Sequence, residues 1–310
     1  MKKLSETEIK KVLEKALEEG RKVIPDGHVA TYIPQLGLVD PNLLGITIVT
    51  KDGDVYSVGD CDTRFTIQSI SKTISLTVAL ELCGREEVFS TVGMEPSGEA
   101  FNSMVELDLN SNKPYNPMIN SGAIAVESLI IPKASFSDML LYTKRFCDDM
   151  EITIDDAAYA SEMSHSSRNR AIAYLLQSKD IIKTDVDDSM VLYTRMCSLS
   201  VTSRSLANLA LLFAMGGVSP KTGERLISAE TCRIVKTIMM TCGMYDGSGE
   251  FAVEVGIPTK SGVGGGLLSV VDKELGIGIY GPSLDAKGNS IAGKVMLKYL
   301  ADELELHLFS

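Results

Sequence analysis

The sequence contains little histidine, and its cysteines are not spaced as C-x-x-C pairs. The 310 residues include three scattered histidines and six cysteines, with no C-x-x-C spacing. Neither residue type shows the spacing of a zinc site, so we expect no bound metal. Several cysteines lie in apolar runs, which is typical of buried free thiols in a reducing compartment. We therefore expect a cytoplasmic protein.

Long apolar runs and an excess of positive charge are also missing. No segment approaches the ~18 apolar residues that a membrane-spanning helix needs, and the first residues do not form an apolar signal region. Lysine and arginine number 30 against 41 aspartates and glutamates, which gives a net charge of −11. Nucleic-acid binding needs a basic surface, so the net charge argues against nucleic acid as a partner. The lack of long apolar runs argues against a membrane partner.

Short alternating segments near both ends of the chain predict antiparallel hairpins. Residues 44–50 alternate with period two, Asp52-Gly53 supplies a turn, and Val55–Gly59 can return alongside. Near the other end, Gly266–Val271 and Leu275–Tyr280 flank a second turn. The pattern from about residue 70 to residue 215 is mostly helical.

These patterns predict an α+β fold in which both ends of the chain share one antiparallel sheet flanked by helices. A first helix, opened by a capping box at Ser5 and Glu8 and ending at Gly20, and a last helix capped at Asn289 or Ser290 would cover that sheet. We expect a sheet domain built from residues 1–75 and 220–310. An all-helical domain, residues 76–219, would be inserted, with the active site at the boundary.

One tetrapeptide, Ser69-Ile70-Ser71-Lys72, has the spacing of a serine nucleophile and its base. It opens a helical run that carries almost no charge. Residues three apart lie on one face of a helix, so the Ser69 hydroxyl and the Lys72 amine can share a hydrogen bond. A lone lysine in such a helix is partly desolvated, which lowers its pKa and makes it usable as a base.

A purely structural role is also consistent with this spacing. A Ser-x-x-Lys string occurs about once by chance in a chain of this length. A serine before a helix is most often an N-cap, and a lysine one turn into a helix often reaches back to solvent.

A second motif separates the two interpretations. Serine acyltransferases with this spacing also carry a Lys-[Ser/Thr]-Gly triplet on a strand that faces the nucleophile. Lys221-Thr222-Gly223 has no strand pattern beside it and is typical of a surface turn. Lys260-Ser261-Gly262 precedes Val263, three glycines and an apolar strand, where N–H groups can face an oxyanion. A plain glycine-rich strand entry is the structural alternative, but two motifs in this order favour a Ser69–Lys72 site.

Six segments of the sequence form a recognisable set. They are Ala30-Thr-Tyr32-Ile-Pro-Gln-Leu, Phe65-Thr-Ile-Gln-Ser69-Ile-Ser-Lys72, Asn116-Pro-Met-Ile-Asn120-Ser-Gly-Ala, Ser161-Glu162 with Arg168-Asn169-Arg170, Tyr193-Thr-Arg-Met-Cys-Ser, and Lys260-Ser-Gly-Val263-Gly-Gly-Gly. With them the chain resembles the serine-dependent glutaminases from about residue 32 to about residue 300. That family shares the fold of the serine β-lactamases and penicillin-binding proteins, so the resemblance implies a β-lactamase-like α/β sandwich.

The resemblance also implies an L-glutamine amidohydrolase without a cofactor, which forms glutamate and ammonia through a γ-glutamyl ester of Ser69. It assigns the base to Lys72, a proton relay to Tyr245 and a supporting role to Lys260. The N–H groups of Ser69 and Val263 would form the oxyanion hole. Relatives suggest a homodimer or a homotetramer. The implied substrate-binding residues are Tyr32, Ser69, Asn120, Glu162, Asn169, Tyr193, Tyr245 and Val263.

This set suits a zwitterionic amino acid. Glu162 supplies an anion for the substrate ammonium, and Asn120, Asn169 and Tyr193 supply neutral donors for its α-carboxylate. Taken singly, each of these side chains also suits capping, turns or packing.

Two other functions stay open. One is a Ser-Lys esterase or peptidase of the same fold. The sequence has no Ser-Asp-Asn triplet, and its implied substrate-binding residues suit a free amino acid, so both features argue against this function. The other is a catalytically silent binding protein, against which the intact Ser69, Lys72 and Lys260 argue.

Overall fold

The computed structural model describes residues 5–98, 102–103 and 113–310. Its main sheet consists of β1 (Gly45–Thr50), β2 (Val55–Gly59), β6 (Thr259–Ser261), β7 (Gly266–Val271) and β8 (Leu275–Tyr280). These antiparallel strands lie in the order β2-β1-β8-β7-β6. The two terminal hairpins meet where Ile48 pairs with Ile277, so the prediction of an α+β fold with a shared antiparallel sheet is confirmed.

The first and last helices pack together over this sheet. They are α1 (Glu6–Val23) and α11 (Ile291–Leu304), and their apolar side chains share one buried cluster with those of β1 and β8. The prediction that the first helix ends at Gly20 is wrong. A Cβ at that position would lie 2.8 Å from Met296 Cγ, so this glycine permits close helix packing instead.

A third helix, α8 (Ser203–Ala214), lies against β1, β7 and β8. Its approach to the sheet depends on Gly278, because a Cβ there would lie 1.9 Å from the carbonyl oxygen of Ser203. This helix falls inside the range that the sequence assigns to the helical domain. The division into two domains stays a prediction.

The middle of the chain is mostly helical, as predicted, but it also contains a small antiparallel sheet. Its strands are β3 (Phe65–Thr66), β5 (Leu199–Val201) and β4 (Thr153–Ile154), in that order. Strands of two or three residues are too short to show alternation, so the sequence does not predict this sheet.

Eight further helices complete the described part of the chain. None of the helices in these ranges is both long enough and apolar enough to cross a membrane. The eight further helices are α2 (Ser71–Thr91), α3 (Asn120–Ile130), α4 (Phe136–Phe146), α5 (Asp156–Ser164), α6 (Ser167–Ser178), α7 (Val186–Cys197), α9 (Ala229–Cys242) and α10 (Ser248–Glu254).

Candidate active site

Ser69 lies just before α2, in a 3₁₀ turn formed by Gln68–Ile70. Gln68 has a φ of +49°, in the left-handed region that residues other than glycine rarely adopt. Such strain persists where the surrounding structure enforces it, often at functional sites. Because α2 begins at Ser71, the interval from Ser69 to Lys72 spans the junction between the turn and the helix. Ser69 is buried, with 6% exposure.

Lys72 is buried beneath this turn. Its Nζ donates to Asn120 Oδ1 at 2.7 Å and to the carbonyl oxygen of Met118 at 3.2 Å. The hydrogen bond to Ser69 that the spacing allows is therefore replaced by these two bonds. Burial lowers the pKa of Lys72 to about 8. A neutral amine is thus accessible near physiological pH.

The Tyr245 side chain also contacts Ser69. The φ of Tyr245 is +55°, so it is a second strained residue beside Ser69. Burial raises the pKa of its hydroxyl, and hydrogen bonding with Ser69 opposes that shift. The Nζ of Lys260 lies 4.6 Å from the centre of the Tyr245 ring, in the range of a cation–π contact.

The backbone on both sides of Tyr245 is held by one hydroxyl. The N–H of Met244 donates to Ser248 Oγ at 3.0 Å, and that hydroxyl donates to the carbonyl oxygen of Tyr245 at 2.8 Å. Ser248 is itself buried at the start of α10. These two bonds fix the unusual backbone conformation of the turn.

Lys260 lies on β6 and is fully buried. Its Nζ donates to the carbonyl oxygen of Ser261 at 2.6 Å. Its pKa is held well below the usual range, first by burial and then by the positive charge of Lys72. Charge on either lysine therefore disfavours charge on the other.

A cavity of about 120 Å³ opens in front of Ser69. The residues that form its wall come from four helices, the 3₁₀ turn that contains Ser69, and loops. Seven residues of the sequence-based set line it: Tyr32, Ser69, Asn120, Glu162, Asn169, Tyr193 and Val263. The other three, Lys72, Tyr245 and Lys260, are buried around Ser69 outside that lining.

Glu162 provides a buried carboxylate in the cavity wall. It is 7% exposed, and its contact with the Gln68 amide is long, at 3.5 Å. Burial raises its pKa to about 7, against the opposing effects of Gln68 and of the Lys72 charge. An isolated buried carboxylate is costly, so this position favours a ligand that brings a cation.

A chain of hydrogen bonds joins Lys72 to the cavity wall. Asn120 accepts from Lys72 through Oδ1 and donates to Asn169 Oδ1 at 2.9 Å. The Tyr193 ring lies beside the same lysine, with its centre 6.0 Å from Nζ. These contacts orient both amides before any ligand enters.

Sequence reasoning missed four residues of the lining. Gln68, Asn102, His165 and Arg168 also line the cavity. Gln68 precedes Ser69 and Arg168 precedes Asn169 in the sequence. These neighbouring positions are the one sequence feature that points to Gln68 and Arg168 as lining residues. Nothing in the sequence pattern indicates His165.

The other Lys-Thr-Gly triplet lies elsewhere, as the sequence predicts. Lys221 is exposed and pairs with Asp148 at 2.8 Å on the wall of a separate cavity. Within the described ranges, no group of three or more histidine, cysteine, aspartate or glutamate side chains is arranged to hold a metal ion.

Residues 27–309 match the family model described as Glutaminase. The chain is 48% identical to a protein named Glutaminase 2 from Clostridium perfringens over 305 residues, which cover 97% of this chain and all of that relative.

Solved structures give the same result at the level of the fold. A probable glutaminase, ybaS, superposes with a TM-score of 0.94 at 37% identity, covering 99% of this chain and 100% of that one. A probable glutaminase from Bacillus subtilis, complexed with 6-diazo-5-oxo-L-norleucine, gives a TM-score of 0.89 at 34% identity over the full length of both chains. The β-lactamase-like fold expected from the sequence is thereby confirmed.

Proposed function

The chain belongs to the glutaminase family, and we propose that it hydrolyses L-glutamine to glutamate and ammonia through an ester on Ser69. The observation that carries this proposal is the clustering of a buried Ser69 with Lys72 and Tyr245 at a cavity that contains the buried carboxylate of Glu162. A nucleophile, a base and a counter-ion for an amino acid thus share one small site.

The first half of the reaction forms the ester. Neutral Lys72 accepts the proton of the Ser69 hydroxyl as Oγ attacks the carbonyl carbon of the side-chain amide. The N–H groups of Ser69 and Val263 stabilise the oxyanion. Tyr245 donates its hydroxyl proton to the leaving nitrogen and regains one from the Lys72 ammonium, the C–N bond breaks, and ammonia departs.

The second half regenerates the enzyme. Water attacks the acyl carbon of the γ-glutamyl ester and gives up a proton to neutral Lys72. The bond between the acyl carbon and Ser69 Oγ breaks, and Ser69 Oγ takes that proton back from Lys72. Lys260 supports Tyr245 through its position beneath the ring. Burial and the charge of Lys72 lower the pKa of Lys260, which limits the positive charge that it adds beside Lys72.

The size and charge of the cavity favour glutamine over larger amides. Sites for drug-sized ligands have volumes of about 300–1,000 Å³, whereas this cavity has about 120 Å³. Its buried carboxylate, Glu162, suits the ammonium of a free amino acid. Both features argue against the esterase or peptidase alternative, and the shifted pKa of Lys72 argues against a silent binding protein.

Ammonia release tests this proposal. If the binding residues hold the α-amino and α-carboxylate groups at fixed positions, the side-chain length decides how close the amide comes to Ser69. Asparagine is one methylene shorter than glutamine, so its amide stops about 1 Å short of Ser69, and a misplacement of that size costs about 10²-fold in rate. We expect glutamine to be hydrolysed at least that much faster than asparagine, and N-acetylglutamine to be a poor substrate. Equal kcat/KM for all three would overturn the proposal.

The location and assembly expected from the sequence are part of the same proposal. All six cysteines are free thiols, which supports a reducing cytoplasm. A homodimer or homotetramer is tested by light scattering of the purified chain, and a monomer at micromolar concentration would contradict it.

A further inference from the structure

The cavity in front of Ser69 carries two opposite charges. Among its described lining residues there is one carboxylate, Glu162, and one guanidinium, Arg168. A free amino acid also carries one charge of each sign. The pairing of Glu162 with an ammonium leaves the guanidinium as the natural counterpart of the α-carboxylate.

The neutral donors of the cavity are partly committed elsewhere. The Asn120 amide already accepts from Lys72 and donates to Asn169, so it has one remaining N–H for a ligand. A carboxylate has about four acceptor positions. Asn120, Asn169 and Tyr193 alone therefore provide few donors and no positive charge for it.

Arg168 is held in place at one nitrogen and available at the others. Its Nε donates to the carbonyl oxygen of Asn102 at 2.7 Å, and no other partner of its guanidinium occurs in the described part of the chain. Its neighbour Asn169 is already part of the site. A guanidinium anchored in this way presents two terminal nitrogens, the geometry that binds a carboxylate with two parallel hydrogen bonds.

Arg170, two residues after Arg168, has different contacts. Arg170 pairs with Asp187 and donates to Ser166 Oγ at 3.2 Å, and it does not line the cavity. The two arginines share one helix, but only Arg168 reaches the site.

We propose that Arg168 is a specificity-determining residue that binds the α-carboxylate and restricts the enzyme to glutamine with a free carboxyl end. Glutamine α-amide, or glutamine followed by another residue in a peptide, has no negative charge at this point and loses that interaction. This inference rests on the proposed function, because it assigns a substrate group to the same cavity.

The test compares two substrates in four forms of the enzyme. The substrates are L-glutamine and L-glutamine α-amide, and the proteins are the wild type, Arg168→Gln, Arg168→Lys and Arg170→Gln. Product formation at the side-chain amide is followed by chromatography of glutamate and isoglutamine.

We expect Arg168→Gln to raise KM for L-glutamine about tenfold or more, the effect of losing a charged hydrogen bond, with kcat almost unchanged. Its kcat/KM for the α-amide should stay within about twofold of wild type, within the small range expected for a change that removes no contact. Arg170→Gln should leave both substrates unaffected. Arg168→Lys, which keeps the charge but not the fork, should fall between wild type and Arg168→Gln.

Equal losses on both substrates in Arg168→Gln would overturn the inference, because the residue would then act on the fold or on catalysis and not on the carboxylate. Unchanged KM for L-glutamine would overturn it as well. A wild-type enzyme that releases no ammonia from glutamine would contradict the proposed function itself, so the two failures are distinguishable.

Discussion

The Nζ of Lys72 lies 2.7 Å from Oδ1 of Asn120, and both groups are buried. This hydrogen bond connects the base beside Ser69 to the wall of the cavity. Because the acceptor is a neutral amide, the ammonium of Lys72 gains no counter-charge from it. Burial lowers the pKa of Lys72 to about 8, no counter-charge at this contact opposes that effect, and the residue can act as a base.

Replacing that amide with a carboxylate should move the pH dependence of the reaction. The wild-type kcat/KM should rise as Lys72 loses its proton near pH 8. In Asn120→Asp, an anion next to the ammonium favours the charged form, so the rise should move to higher pH and activity at neutral pH should fall. The measurement is a pH profile of kcat/KM with glutamine.

Two further variants make this result interpretable. Asn42→Asp adds the same charge at an exposed position and should leave the profile unchanged. Lys72→Met should lower kcat by about 10²–10⁴-fold, the usual contribution of a general base, and should remove the rise. An unshifted profile in Asn120→Asp would show that another group sets it.

Glu162→Gln should weaken glutamine binding and should remove the pH dependence of glutamine affinity. The substrate ammonium loses its counter-charge, and a charged hydrogen bond is worth about 1.5–3 kcal/mol, so KM should rise by about 10–100-fold. Burial raises the pKa of Glu162 to about 7, so in the wild type affinity should fall as the pH drops below that value. The variant should show no such fall.

Calorimetry on a Ser69→Ala background measures this affinity without turnover. Glu151→Gln, a change at an exposed position, serves as the control and should bind like the parent. If Glu162→Gln bound glutamine as tightly as the parent, this carboxylate would not be the ammonium partner.

A second buried carboxyl, Glu127, should make the fold less stable at high pH. It accepts from Ser75 through Oε1, and its other oxygen has no partner among the described residues. Burial raises its pKa from 4.5 to about 7. The folded protein therefore retains this proton more tightly than the unfolded chain does, and the stabilisation present at low pH is lost as the pH rises through about 7.

Glu127→Gln should remove that loss. Relative to wild type, the variant should gain up to roughly 3 kcal/mol of unfolding free energy between about pH 5 and about pH 8, since each pH unit of proton binding is worth about 1.4 kcal/mol. Urea unfolding at both values measures it, with Glu86→Gln as an exposed control. A difference from wild type that does not vary with pH would contradict the assignment.

The sequence predicts which residues lie around the cavity better than it predicts their contacts. Ser69, Lys72 and Lys260 are identified by two short motifs, Ser-x-x-Lys and Lys-Ser-Gly. Glu162 and Tyr245 enter only through resemblance, since their approach to Ser69 depends on tertiary packing.

Other features of the site have no local signal. The positive φ of Gln68 is imposed by the surrounding fold. The bonds from Lys72 to Asn120 and Met118 replace the expected bond to Ser69 because the start of α3 and the turn before it bring two acceptors to that point. The role of Gly20 differs for the same reason: Met296 packs against it from a helix at the other end of the chain.

The central claim is that Ser69 forms a covalent bond to the substrate acyl group. 6-Diazo-5-oxo-L-norleucine, the compound in the Bacillus subtilis structure, can label such a nucleophile, and peptide mass spectrometry locates the label. The account predicts one adduct per chain, on the peptide and side chain of Ser69. The same label should form in Ser71→Ala, whose hydroxyl points to Cys197, and be absent from Ser69→Ala, which should also lose ammonia release. Labelling of another residue, or glutamine turnover by pure Ser69→Ala, would contradict the account.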